Sequence, residues 1–350
     1  MGQIQNEFFT FVPLALSQLM MKKPVRQLLP LICILTLSLL LWMEGCTDQT
    51  GQEGKRRPKK IIPSITISGS LELYPLLSQL AFEFNGIYPD VRIDVTPGSS
   101  LHGKSDILFQ MMDRRRISNN MKESQPDTGL MSLPLAFDAI LPFGNVENPY
   151  LKKLKISGIT QSQFRYIYID ATLSHWGQLT KTDSSYRIFS FTRTDICEAG
   201  EIWSSFLGTE QANLTGTGVY GEPGMIMAVR KNIYGLGYAS IRYIYDRKTF
   251  EPTNDLAVIP IDLDNNGKID RTENCLNNLE DITFAIRHGN YPFPPARTLY
   301  LTFNKTPVNQ LVVDYLVWIY ENGMQTIQDA GYIIPGETTL KNQLQIIQKL

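Results

Sequence analysis

The chain has 350 residues, 43% apolar and 19% charged, the composition of a folded globular protein with a sizeable core rather than a disordered or collagenous one. Lys and Arg number 33 against 34 Asp and Glu, so no global basic field points to nucleic acid. Four cysteines are too few for a disulfide scaffold, and His102, His175 and His288 are too dispersed for a histidine-built zinc site.

The first sixty residues differ in kind from the rest. Residues 21–26 (MKKPVR) are basic, and residues 28–42 (LLPLICILTLSLLLW) form an apolar run that is short for a membrane span and fits an export signal. The run ends at Met43-Glu44-Gly45-Cys46, which resembles the lipobox of bacterial lipoproteins. That resemblance makes residues 1–45 a signal peptide and Cys46 the lipidated residue, anchoring the chain to a membrane. Residues 46–60 are polar and read as a flexible tether. Beyond residue 60 there are 25 Lys and Arg against 30 Asp and Glu, so the body is acidic, with a net charge of −5.

From there strands and helices alternate. Residues 61–68 (IIPSITIS) are a β-branched run, and Gly69-Ser70 forms a turn. Leu76, Leu77, Leu80, Ala81 and Phe84 recur at helical spacing, and residues 91–95 alternate as a strand. Next comes Gly98-Ser99-Ser100-Leu101-His102-Gly103-Lys104-Ser105, which matches the phosphate-cradling pattern G-x-x-x-x-G-K-[ST]. An apolar run ending in Asp138 (LPLAFD, 133–138) completes the look of a nucleotide site. The other reading of 98–105 is a Gly-Ser turn before a helix, its amides and hydroxyls facing an anion.

Residues 133–141 read as a strand, and Thr160-x-x-Gln163 as the capping box of a helix. Residues 186–191 are a strand, and the next helix would start at Asp195 as N-cap with Glu198 at N3, turned back to cap its own helix. Further strands fall at 237–243, 257–261 and 298–303, and helices at 277–287 and 308–319. The alternation predicts an α/β fold with mixed, mostly parallel sheets.

Asp262-x-Asp264-x-Asn266-Gly267-Lys268-Ile269-Asp270-x-x-Glu273 matches the twelve-residue EF-hand calcium loop. Asp262, Asp264, Asn266 and Asp270 would supply side-chain oxygens, Lys268 its carbonyl and Glu273 a bidentate carboxylate. A strand enters the loop where an EF-hand has a helix, so a single structural calcium is expected. No nucleophile, base and orienting group occur together, and an enzyme is not expected.

Three turns, at Gly69-Ser70, at Gly98-Ser99-Ser100 and over 193–200, each aim backbone N–H groups beyond a strand, a metal-free way to hold an oxyanion. The order of segments resembles the phosphate-binding protein of bacterial phosphate ABC importers. The resembling stretches include 67–100, 133–179, 191–208, 221–241, 291–301 and 330–335. The resemblance implies a two-lobed periplasmic-binding-protein-like fold (type II) with a hinge of two crossings, near Asp138 and Tyr238. Lobe one would be 61–137 plus 239–350, and lobe two 138–238. It implies a ligand site of Gly69, Ser70, Leu71, Ser99, Ser100, Arg193, Cys197, Ala199 and Gly200. The chain departs from the family at Leu71 and Glu72, where hydroxyl residues are usual, and at Cys197-Glu198-Ala199, where the family has Ser-Gly-Thr.

The implied function is an extracytoplasmic, lipid-anchored binding protein that passes inorganic phosphate or a related oxyanion to an ABC importer permease. Two other readings stand beside it. One is a P-loop NTPase using 98–105. The other is a sensory or scaffolding relic of the binding fold that takes up no anion tightly. Cys197 and Cys275 are the cysteines of the body, and their spacing assigns no disulfide.

Overall fold

The computed structural model describes residues 62–98, 105–112, 129–305 and 309–350. The expected signal peptide, the tether, Cys46, Ser99, Ser100 and Lys104 lie outside these residues. Among the described residues no helix is long and apolar enough to cross a membrane.

The chain opens with β1 (Ser64–Gly69), α1 (Tyr74–Ile87) and β2 (Arg92–Pro97). Leu76, Leu77, Leu80, Ala81 and Phe84 are the buried stripe of α1, as their spacing predicts. β1 pairs in parallel with β2 on one side and β3 (Ile107–Met112) on the other. Gly69 is required at the end of β1: a Cβ there would sit 2.8 Å from Leu77 Cδ1 and 3.1 Å from the Phe109 carbonyl oxygen.

β4 (Leu130–Asn145) is a sixteen-residue strand that belongs to both halves of the sheet. It runs antiparallel to β11 (Ala296–Asn304) over its first half and to β8 (Gly235–Ser240) over its second. Its register against β11 slips between Leu299 and Tyr300, where the partner is Pro134. Proline offers no N–H to the ladder, which favours a bulge at that point.

Between β4 and β8 lie α2 (Leu151–Ser157), β5 (Ile159–Thr160), α3 (Gln161–Tyr168), α4 (Trp176–Thr180), β6 (Phe189–Arg193), α5 (Glu198–Phe206), β7 (Thr217–Val219) and α6 (Gly221–Arg230). The capping box of α3 is formed, with the Thr160 hydroxyl on the Gln163 N–H and the Gln163 side chain on the Thr160 N–H. After β8 come α7 (Ile241–Ile244), β9 (Leu256–Val258), β10 (Ile261–Asp262) and α8 (Leu279–Arg287), then β11. The carboxy-terminal part holds α9 (Gln310–Trp318), one π-turn over Ile319–Gly323, α10 (Met324–Asp329) and α11 (Glu337–Ile347). The main sheet runs β2-β1-β3-β11-β4-β8-β6-β7, with β9 also on β4, and mixes parallel and antiparallel pairs.

Two apolar cores flank the sheet. One gathers Ile65 through Ala136 with Leu299 through Ile347, and the other Ala139 through Ala296 with Ile333. The cores exchange at Asp138 on β4 and at Arg297 on β11. Tyr238 lies inside the second core, and residues 241–291 pack with it rather than with the first. The expected assignment of 239–350 to one lobe therefore differs from the packing, because β8 runs on through α7 and α8 without leaving that core.

The phosphate-cradling pattern at 98–105 does not lead into a helix. Ser105 and Asp106 pass directly to β3, which pairs with β1 and β11. A P-loop needs its GK[ST] at a helix N-terminus, so the nucleotide reading fails on local geometry. Asp138 is likewise not a metal-facing acid but a buried ion-pair partner.

Candidate functional site

The turns after β1, β2 and β6 open onto one cavity of about 1010 Å³, whose wall includes Ser70, Leu71, Gly98, Arg193 and Cys197. The Gly98 N–H donates to the Gly69 carbonyl at 2.9 Å, tying the first two turns together. Ser99 and Ser100 lie outside the described residues. Gly69, Ala199 and Gly200 sit behind the wall. Gly69 is buried at the end of β1, Ala199 packs into the second core, and a Cβ on Gly200 would run into the Gln211 side chain.

Arg193 ends β6 with its guanidinium nearly buried and gripped by Asp195, Nε to Oδ1 at 2.9 Å with a second bond from Nη2 to Oδ2. Asp195 also accepts the Gly221 N–H, and the Arg193 hydrogen bonds hold its carboxyl below the usual carboxylate range. Asp195 is thus engaged and does not cap α5. Cys197 takes that place, its Sγ accepting the Gly200 N–H at 3.3 Å. Burial pushes the Cys197 thiol up to about 11, which makes it a weak nucleophile. Cys197 and Cys275 are both free.

Glu198 corrects the sequence reading. It is the first residue of α5, not N3, and its carboxylate points to Arg297, 3.5 Å from Nη1, instead of back at its own helix. Around it lies an ionic network that sequence reasoning missed. Arg297, fully buried, bonds Asp138 Oδ2 through Nη2 at 2.6 Å and through Nε at 2.9 Å, and Glu72 Oε1 at 2.8 Å. Arg242 also holds Glu72 and stacks over Tyr332. Burial raises the Glu72 pKa, but Arg297 and Arg242 outweigh it and leave the carboxyl below its ordinary value. Glu222, buried on α6, accepts the Ser240 N–H at 2.7 Å, and burial pushes it up to about 7. The available signal was the position of Asp138 and Arg297 as single charges inside otherwise apolar strands.

The wall thus carries Glu72, Asp195, Glu198, Glu201 and Glu222 beside Arg193. Backbone amides, the Ser70 hydroxyl and Arg193 are among the donors it offers an anion.

The acidic loop lies apart from this cleft. β10 pairs in parallel with β5, and the Ile269 N–H bonds the Ile156 carbonyl at 2.7 Å, docking the loop on α2. Carboxylate oxygens of Asp262, Asp264 and Glu273 lie within 4.8 Å of one another. The oxygens fit a hard cation, and among the described residues none of the three has a Lys or Arg partner. Asp270 stands outside this trio, its carboxylate taken by Thr272 and the Glu273 N–H. Asn266 Oδ1 accepts the Lys268 N–H, so that turn is closed by the chain itself.

A sequence profile of the PBP superfamily domain matches residues 48–322. The chain is 24% identical over 322 residues to the protein SphX of Synechocystis sp., covering 84% of this chain and 82% of that one. It is 21% identical to the phosphate-binding protein PstS of Staphylococcus epidermidis, covering 89% and 90%. Among solved structures it resembles a possible phosphate binding protein from Planctomyces limnophilus, with a TM-score of 0.59, 16% identity and coverage of 82% and 98%. It also resembles an ABC-type phosphate transport receptor from Vibrio cholerae, with a TM-score of 0.58, 19% identity and coverage of 78% and 100%. With most of its length matched by that profile and its fold shared with these binding proteins, the chain belongs to the PBP superfamily.

Proposed function

We propose that this protein is an extracytoplasmic solute-binding protein that captures phosphate or a related oxyanion and presents it to the permease of an ABC importer. The observation that carries this reading is the convergence of Ser70, Gly98, Arg193 and the α5 N-terminus on one cavity beside the exchange of the two cores. Helix N-terminal amides and a guanidinium together suit an oxyanion. The names of the SphX and PstS relatives support the same ligand and the same transport role. Attachment through a lipidated Cys46 is part of the proposal and rests on the sequence order of basic, apolar and Gly-Cys segments. Closure of the two lobes on the ligand would bend the chain where β4 and β11 pass between cores.

Calorimetric titration with phosphate tests it. Saturable one-to-one binding, weakened in Arg193→Met, is expected. Folded protein giving no heat at millimolar phosphate defeats the proposal. One observation favours the alternative of a scaffold without tight uptake: Arg193 is already held by two bonds to Asp195. The same titration separates the two readings.

We propose further that Asp262, Asp264 and Glu273, with Asn266 and the Lys268 carbonyl, hold a structural calcium. The close approach of three carboxylates, with no Lys or Arg partner among the described residues, supports it.

A further inference from the structure

Three buried polar atoms crowd together at the cleft: Ser70 Oγ, Glu198 Oε2 and Arg297 Nη1. They belong to three neighbouring side chains. Glu198 lies 3.5 Å from Arg297 Nη1, and its carboxyl sits beside the Ser70 hydroxyl and the Glu72 carboxyl. Arg297 itself is fully buried. At 3.5 Å the contact between Glu198 and Arg297 is too long for a good hydrogen bond, so the buried carboxylate is poorly compensated when ionised.

Glu198 stands where an anion at the α5 N-terminus would meet it first, because it opens that helix and lines the cavity. An ionised carboxylate has only acceptors and repels an oxyanion. A carboxylic acid carries no charge to repel the oxyanion, and its one O–H can be donated to the Glu72 carboxylate beside it. The charges around it point the same way. Glu72 faces Glu198 from the turn before α1 and Arg297 from β11. Arg242 and Asp138 flank Glu72 and Arg297, Glu222 faces Glu72, and Arg193 with Asp195 flanks Cys197 on the near side. Arg297 already answers Asp138 and Glu72, so little positive charge is left for a third carboxylate.

We propose that Glu198 enters the ligand complex as a carboxylic acid, so that the cleft takes up one proton with its oxyanion and loses affinity as Glu198 ionises. This rests on the oxyanion reading above and adds a proton to it. No bond other than the Glu198 O–H forms, and the proton comes from solvent. Burial first, and Glu72 beside it, push Glu198 up to about 7 against the opposing pull of Arg297 and the Ser70 hydroxyl. An added anion would raise it further.

The experiment is phosphate titration of the wild-type protein and Glu198→Gln between pH 6 and pH 8.5. Phosphate's own ionisation affects both alike, so the difference belongs to Glu198. The wild-type affinity should fall more steeply above about pH 7, approaching an extra tenfold per pH unit, while Glu198→Gln, neutral throughout, lacks that extra fall. Equal slopes for the two proteins overturn the inference while leaving phosphate binding intact. Absence of binding by wild type at pH 6 overturns the oxyanion reading, and this inference with it. Infrared difference spectra of the wild type at pH 8 give a readout that does not depend on the variant's folding. A protonated-carboxyl band appearing on phosphate addition supports the inference, and its absence overturns it.

Discussion

Arg297 and Asp138 are direct cross-strand neighbours on β11 and β4, with Nη2 and Oδ2 2.6 Å apart and both side chains fully buried. They sit where the two apolar cores exchange, with Ala136 and Leu299 on one side and Ala139 and Ala296 on the other. A buried pair of this kind adds little net stability over apolar packing, but leaving one partner alone is costly. Arg297→Met should therefore cost about 3–5 kcal/mol in urea unfolding. Asp138→Leu combined with Arg297→Met should cost less than Arg297→Met alone. A double variant that is worse than the single would contradict this account of the pair.

Glu222 predicts a pH dependence of stability. Its folded-state pKa of about 7 lies above the ordinary value near 4.5, because of burial first and the Glu72 carboxylate second. The folded state therefore holds the proton more tightly than the unfolded chain. The stability this contributes is fully present below about pH 4.3 and is lost as pH rises through about 7. Glu222→Gln removes the loss, so its stability relative to wild type should rise between those values and level off above them. Urea midpoints of both proteins across that range check it, and a difference that is flat with pH refutes it.

Gly158 is fixed by the docked acidic loop. Its φ is +64°, and a Cβ would lie 2.5 Å from Ile269 Cδ1 and 2.9 Å from the Asp262 backbone nitrogen. Gly158→Ala should destabilise the protein by about 1–3 kcal/mol, from strain in the left-handed region and the clash with main chain. A change within about 0.5 kcal/mol, the range of ordinary surface substitutions, would count against this packing.

The loop itself predicts a ligand effect on melting. Calcium at about a hundred times its dissociation constant adds about 2.7 kcal/mol of stability, a rise of several degrees in Tm. Asp264 is exposed, so Asp264→Ala should fold yet lose the shift. A melt indifferent to calcium would reduce the loop to a polar turn.

Local signals in the chain were legible where a few neighbouring residues decide the outcome. The α1 stripe, the Thr160-Gln163 capping box and the spacing of Asp262, Asp264 and Glu273 each lie within one helix, one turn or one loop. The ionic network was not legible, because Glu72 meets Arg242 and Arg297 across 170 and 225 residues. Competition between near-equal local choices also misled. Asp195 looks like the cap of α5, but Arg193 and the Gly221 N–H claim its carboxylate, and the cap passes to Cys197. Residues 107–112 have no strong intrinsic preference, and pairing to β1 and β11 makes them a strand where a short helix was expected.

The central claim is that this cleft, with its acidic wall, holds an oxyanion between Ser70, Arg193 and the first turn of α5. A crystal structure of the protein grown with phosphate tests it most directly. The account predicts phosphate within hydrogen-bond distance of the Ser70 hydroxyl, the Arg193 guanidinium and an α5 amide. Phosphate-saturated crystals in which those groups contact only water and one another would contradict it.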